Sequence, residues 1–161
     1  MRLILASTSP RRKELLTLLG VRFDIVAPPF VEQVAPNRSA EQQAVEFAVG
    51  KAKSCIELFP DALILGSDTL ISLGSEVLGK PADLADAESM LRRMAGQMHK
   101  IFTAVALAGS GTESCEVQVA EVSVTMKPLN EEALAAYLRT GDSLGKAGAY
   151  AVQGRAGAFI P

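Results

Sequence analysis

Strand-like apolar runs alternate with helix-like stretches along this chain, and that alternation limits the fold more than any other feature. RLILA at residues 2–6 reads as a short buried strand. It runs straight into a helix with Ser9 at the N-cap and Pro10 at the first position, and Leu15, Leu16, Leu18 and Leu19 follow at helical spacing. VRFDIVAP at 21–28 predicts a second strand, ended by Pro28-Pro29. After a polar loop, Ser39 caps a helix over 40–58 whose apolar stripe is Ala44, Val45, Phe47, Ala48, Ala52 and Ile56. ALILGSDTLISL at 62–73 is a β run interrupted at Gly66-Ser67-Asp68-Thr69. Asp83 caps a helix over 84–95 that Gly96 stops. MHKIFTAVALAG and SCEVQVAEVSVTMKPL form a hairpin turning at Gly109–Gly111, and Asn130 caps a last helix to about Arg139. Strands that alternate with helices and then pair as a hairpin predict an α/β fold around a mixed sheet.

Charge and cysteine usage exclude several function classes. With 16 Lys and Arg against 18 Asp and Glu, the net charge is -2. That balance argues against a long nucleic-acid groove or a basic membrane face, so any anion site is a local cluster. Cys55 and Cys115 match no metal or redox spacing, which makes a reducing cytosol the default. No stretch approaches the roughly 20 apolar residues of a membrane span. The expectation is a cytoplasmic protein with no membrane and no nucleic-acid partner.

One local conflict points to a function. Arg11 and Arg12 put two cations in the first turn of the Ser9 helix, where backbone N–H groups already carry partial positive charge. Either both arginines face solvent, or strand end, helix start and guanidinium groups together make an anion pocket. LILGSDT places Asp68 at a strand end, as a ligand-binding carboxylate or as a turn organiser. Lys80 is held in LGKP, Lys51 follows Gly50 within a helix, and Glu32 is a lone acid in FVEQ. Each has a plain reading as a solvated surface charge. Gly50 costs the helix about 1 kcal/mol relative to Ala, which close packing or a nearby ligand would explain. His99, the single histidine, reads as a packed or edge side chain, and one histidine builds no zinc site. GKAGAYAVQG at 145–154 follows neither the dinucleotide-binding nor the P-loop pattern, although Gln153 could read a base edge. Several cations with two carboxylates on loops and element ends form the inventory of phosphoryl transfer.

LASTSPRR, VEQ, KA at 51–52, GSDT, GKP, GQMH with Thr103, and KAGAYAVQG occur in the order and spacing of the Maf family. The chain resembles that family from residue 3 to 160. The resemblance implies an inosine-triphosphatase-like mixed sheet flanked by helices, with two lobes around a deep nucleotide-binding groove, often as a homodimer. It implies hydrolysis of a nucleoside triphosphate to the monophosphate and pyrophosphate with Mg²⁺ or Mn²⁺, and a link to arrest of septum formation and cell division. On the same basis Asp68 is the catalytic carboxylate, and Glu32 and Asp68 hold the metal. Arg12, Lys51 and Lys80 bind phosphate, and Ser7 and Arg11 line the pocket. Thr69, the Arg11-Arg12 pair and Gln153 are similar to the branch acting on dTTP and UTP; Arg12, Thr69 and Gln153 would select the pyrimidine.

Two departures qualify the resemblance. Gly50 stands where relatives often have Glu, and relatives continue past AFIP with about one strand, a Gly-Leu-Pro turn and a terminal helix. The expectation is therefore a single domain over 1–161 lacking that segment. Two alternatives are a 7-methyl-GTP pyrophosphatase and a nucleotide-binding division regulator without catalysis.

Overall fold

The computed structural model describes residues 2–109 and 115–161. In chain order its elements are β1 (Arg2–Ala6), α1 (Pro10–Leu18), β2 (Asp24–Val26), α2 (Ala40–Lys53), β3 (Ala62–Leu73), β4 (Glu76–Leu78), α3 (Leu84–Met94), β5 (Met98–Gly109), β6 (Glu116–Thr125) and α4 (Glu131–Arg139). The strands join in one mixed sheet ordered β2-β1-β3-β5-β6, with β4 beside β3. β1 runs parallel to β2, with Leu5 opposite Ile25, and parallel to β3, with Leu5 opposite Leu65. β4 is antiparallel to β3, with Ser72 opposite Val77. Parallel neighbours need a crossover, and α1 supplies the one between β1 and β2. This is the α/β architecture that the alternating pattern predicts.

Several local expectations require correction. Gly66 to Thr69 do not interrupt the third strand: β3 runs unbroken over 12 residues, and Asp68 lies inside it rather than at its end. Extended backbone with buried neighbours accommodates a small polar run once those groups find partners. β2 is only three residues long, and α2 stops at Lys53, followed by turns closed by Cys55 N–H to Ala52 O and Ile56 N–H to Lys53 O. Of the four leucines of the first helix, only Leu16 is buried. They span an arc of about 160° on a helical wheel, and the core meets only the Leu16 edge of it. The hairpin turn expected at Gly109–Gly111 ends outside the described residues. β5 and β6 are sheet neighbours. The caps at Asp83 and Asn130 form as predicted, accepting from Asp86 N and Ala133 N at 2.8 Å each. Among the described residues no helix is long and apolar enough to cross a membrane.

The described residues divide into two compact units. One draws on the described residues within Met1–Gln33, Glu41–Asp68 and Thr103–Ala120. Ile4, Leu5, Phe47, Ile64 and Ala104 are among its buried residues. The other comprises Val34–Ala40, Thr69–Phe102 and Glu121–Pro161. Its core joins Ile71, Leu91, Met94, Met126, Leu134 and Tyr137. In that second unit the glycine-rich stretch folds into a 3-10 turn at Ala147–Ala149, and another follows it at Arg155–Phe159. Gly148, at φ +63°, presses against Ile71 and Met94, where a side chain would overlap the Ile71 methyl.

His99 takes the plain reading that its strand position suggested. It is buried, with Nε2 2.5 Å from the Tyr150 hydroxyl and its ring edge-on to that of Tyr150. Burial lowers the His99 pKa, and the Gln97 backbone opposes the shift. Burial also pushes the Tyr150 hydroxyl up to about 12. The folded imidazole thus titrates below its ordinary value near 6.5, so the unfolded chain takes up the proton first as pH falls. Stability contributed by neutral His99 is complete above that unfolded value and is lost as pH drops through and below it. Because no other histidine is present, melting temperatures of wild type and His99→Gln should diverge less at pH 5.5 than at pH 7.5. Parallel melting curves across that range would contradict it.

Candidate active site

Close approach of α2 to β3 builds the first unit's charged cluster. Ala40, Ala44, Ala48 and Ala52 recur every fourth residue on α2 and are all buried. At Ala48 and Ala52 this smooth face lets the helix backbone settle on the strand. Gly66 completes the fit: a Cβ there would overlap the Ala48 carbonyl oxygen and stand 2.8 Å from Ala52 N. Side chains two apart on a strand share a face, so Asp68 points toward the helix that Gly66 touches. Lys51, one residue before Ala52, meets it there.

Lys51 is the hub. Its Nζ donates to Asp68 Oδ1 and lies 3.4 Å from the Ser67 carbonyl oxygen and 2.6 Å from Glu32 Oε1. Glu32 belongs to the segment between β2 and α2, which has no regular structure, and its position follows from Phe30. The Phe30 ring occupies the place that a Cβ on Gly50 would take, and it tilts against Phe47 with centroids 6.1 Å apart. Phe30 therefore seats on Gly50, and Glu32, two residues on, reaches Lys51. Close packing accounts for the helical glycine.

α1 supplies the remaining cation. Ser9 occupies the N-cap position but makes no side-chain cap bond. The active hydroxyl is that of buried Ser7, whose Oγ accepts from Ser9 N and from Arg12 Nη1, each at 3.2 Å. Arg12 Nη2 stands 3.9 Å from Asp68 Oδ1. The misplaced cation of the first turn is thus matched by the protein's own carboxylate. Burial lowers the Arg12 pKa, Asp68 and Glu32 oppose this, and neighbouring Arg11 adds to the lowering. Burial likewise raises the Asp68 pKa; the Lys51 charge and hydrogen bond pull it down, Glu32 raises it and Arg12 lowers it.

Ser7, Arg12, Glu32, Lys51 and Asp68 therefore come together, and Arg11 lies half-buried beside Arg12. Thr69, Lys80 and Gln153 belong to the second unit. Thr69 follows Asp68 along β3, while Lys80 and Gln153 are exposed. Within that unit Gly79, next to Lys80, accepts a 2.9 Å bond from Gly148 N and so ties the lysine loop to the glycine-rich stretch. The sequence reading missed Phe30 and the role of Gly66. A glycine inside an apolar strand does signal close backbone approach, but the polar run that follows Gly66 masks that signal.

Two carboxylates converging on one cation fit a hard divalent ion of the magnesium type. Such ions take oxygen donors, retain waters and use one or two carboxylates together with substrate phosphates. Among the described residues no group of three or more His, Cys, Asp or Glu side chains forms a self-sufficient metal cage. The donor set suits a substrate-completed ion.

Arg12→Ala tests which role dominates in this arginine. Desolvation is the largest influence on it and its ion pair is long, so unfolding stability should change by less than about 1 kcal/mol. If Arg12 binds phosphate, nucleotide affinity read by calorimetry should fall about tenfold or more. A large stability loss with unchanged affinity would make Arg12 structural.

The sequence signature of Maf-like proteins matches residues 2–161. A dTTP/UTP pyrophosphatase of Salmonella typhimurium (strain LT2) is 47% identical over 160 residues, covering 98% of this chain and 80% of the relative. One from Symbiobacterium thermophilum is 45% identical over 159 residues, with the same coverages. A third, from Pelotomaculum thermopropionicum, is 42% identical and is covered over 83% of its length. A charged cluster drawn from LASTSPRR, VEQ, GKA and GSDT, a signature spanning nearly every residue and relatives matched along most of their length all lead to one assignment: the chain belongs to the Maf-like protein family.

Proposed function

We propose that this protein hydrolyses nucleoside triphosphates, with dTTP and UTP preferred, at the bond between the α- and β-phosphates. The observation that carries the proposal is Lys51 joined at once to Asp68 and Glu32, with Arg12 beside Asp68. The names of the relatives at 42–47% identity support the substrate class.

Water attacks the α-phosphorus, the bond to the bridging oxygen breaks, and pyrophosphate leaves from the nucleoside monophosphate. Asp68 orients the water and accepts its proton; burial raises its pKa, and the Lys51 charge and hydrogen bond oppose that rise. Arg12 and Lys51 face the phosphate oxyanions as negative charge shifts onto the leaving group, and Lys80 adds a third cation. Ser7 holds the Arg12 guanidinium in place. Arg11 lines the pocket. Arg12, Thr69 and Gln153 select the pyrimidine. Glu32 and Asp68 would hold Mg²⁺ or Mn²⁺, which would supply charge neutralisation at the phosphates. Two cations and two carboxylates cancel within the cluster, so a triphosphate needs that added positive charge. The protein works in the cytoplasm, without nucleic acid, as a homodimer, and takes part in restraining septum formation.

Pyrophosphate release from a panel of dTTP, UTP, CTP, ATP, GTP and 7-methyl-GTP with Mg²⁺ tests this. dTTP and UTP should be turned over well ahead of the rest. No turnover of either by folded protein would overturn the proposal, and a lead for 7-methyl-GTP would reassign the base preference. Calorimetric binding without turnover would mark a regulator.

A further inference from the structure

Lys51 stands where the two acidic groups of the cluster converge. Its ammonium has three donors and three oxygen neighbours: Glu32 Oε1 at 2.6 Å, Asp68 Oδ1, and the Ser67 carbonyl oxygen at 3.4 Å. The side chain is almost wholly buried, with 4% of its surface exposed, so water does little to weaken its hold. Arg12 adds a second positive group 3.9 Å from the same Asp68 oxygen. Lys51 and Arg12 together thus already balance the two carboxylates, and Lys51 competes for the oxygens of both.

We propose that Lys51 is a resident counter-ion that closes the Glu32–Asp68 pair to divalent cations until a triphosphate arrives, so that metal and nucleotide load together. This rests on the reading of Glu32 and Asp68 as the metal-holding carboxylates. A divalent ion at that pair would sit against both the Lys51 and Arg12 cations and gain only two protein carboxylates; among the described residues no third acidic or imidazole ligand completes a cage. Triphosphate oxygens change both sides of this balance. They give the ammonium new acceptors, which its flexible four-carbon stem can follow, and they give the ion its missing ligands. Lysine in this role makes the empty enzyme indifferent to free metal and the loaded enzyme dependent on it.

Mn²⁺ binding to the whole protein, followed by the loss of the free-ion electron paramagnetic resonance signal, tests the proposal without turnover. Wild type alone should bind Mn²⁺ weakly. Lys51→Met, confirmed folded by circular dichroism, should bind Mn²⁺ alone about tenfold or more tightly, within the range that neighbours of metal ligands exert. Lys51→Arg, which keeps the charge, should stay weak. In wild type, an α,β-imido analogue of dTTP should bind about tenfold or more tightly with Mn²⁺ than without it, measured by calorimetry, as reciprocity requires for ions that load together. Tight one-to-one Mn²⁺ binding by wild type without nucleotide, removed by Asp68→Asn, would overturn the proposal; this arm needs no Lys51 variant. Analogue affinity indifferent to Mn²⁺ would do the same. Should Asp68→Asn keep full turnover, the catalytic reading falls instead; if it abolishes turnover while wild type holds Mn²⁺ alone, only the counter-ion role falls.

Discussion

Asp68→Asn should lower the turnover of dTTP by about 10²–10⁴-fold, the range for loss of a general base, while the protein stays folded. Asn is nearly isosteric, and its carbonyl oxygen can still accept from Lys51, which keeps Glu32 and the Ser67 carbonyl oxygen as its other partners. Burial is the largest influence on Asp68 and works against its charge, so removing that charge recovers desolvation energy as it loses an ion pair. The melting temperature should therefore move little against the fall in rate. Initial rates of pyrophosphate release beside a thermal melt separate the two effects. Unchanged rates would place the proton acceptor elsewhere.

Gly66→Ala should be the most destabilising single-methyl change in the cluster, by about 3 kcal/mol or more, at the upper end for overpacking. The new Cβ would collide with the Ala48 carbonyl oxygen and crowd Ala52 N. Both are helix backbone atoms, so no side-chain rotation relieves the contact. α2 must lift from β3, and Lys51 lifts with it, so activity should fall together with stability. Urea denaturation compared with Gly74→Ala gives the contrast: Gly74 is left-handed at φ +58° with open space around it. That variant should lose only about 1 kcal/mol, from backbone strain alone. Equal losses would mean that helix and strand are less tightly joined than the geometry requires.

The sequence carried more of this site than of the backbone beneath it. Arg12, Glu32, Lys51 and Asp68 stood out because charged residues beside apolar runs or glycines need an explanation, and the structure joins these four. The caps at Asp83 and Asn130 were legible because capping is a local bond between residues three apart. Element lengths were less so. β3 looked broken at GSDT because strand propensity penalises Gly and Asp, yet neighbouring strands supply the pairing that propensity ignores. Long-range steric facts were invisible. Nothing in AVGKA says that Phe30, twenty residues earlier, fills the space above Gly50.

The cluster draws its carboxylates from scaffolds of unequal permanence. Asp68 hangs from the interior of a 12-residue strand with sheet neighbours, whereas Glu32 hangs from a segment outside any helix or strand. Local opening under mild heat or low denaturant begins where backbone bonds are fewest. Glu32 should then leave Lys51 while Asp68 is still clamped, so partial unfolding passes through a half-armed site that retains its ammonium–Asp68 contact. Hydrogen exchange resolved by residue should show fast amides around 30–34 and slow ones around 64–68. Heat inactivation below the global melt would then begin with a loosened loop rather than a melted sheet, and binding of a nucleotide that fastens Glu32 should delay it.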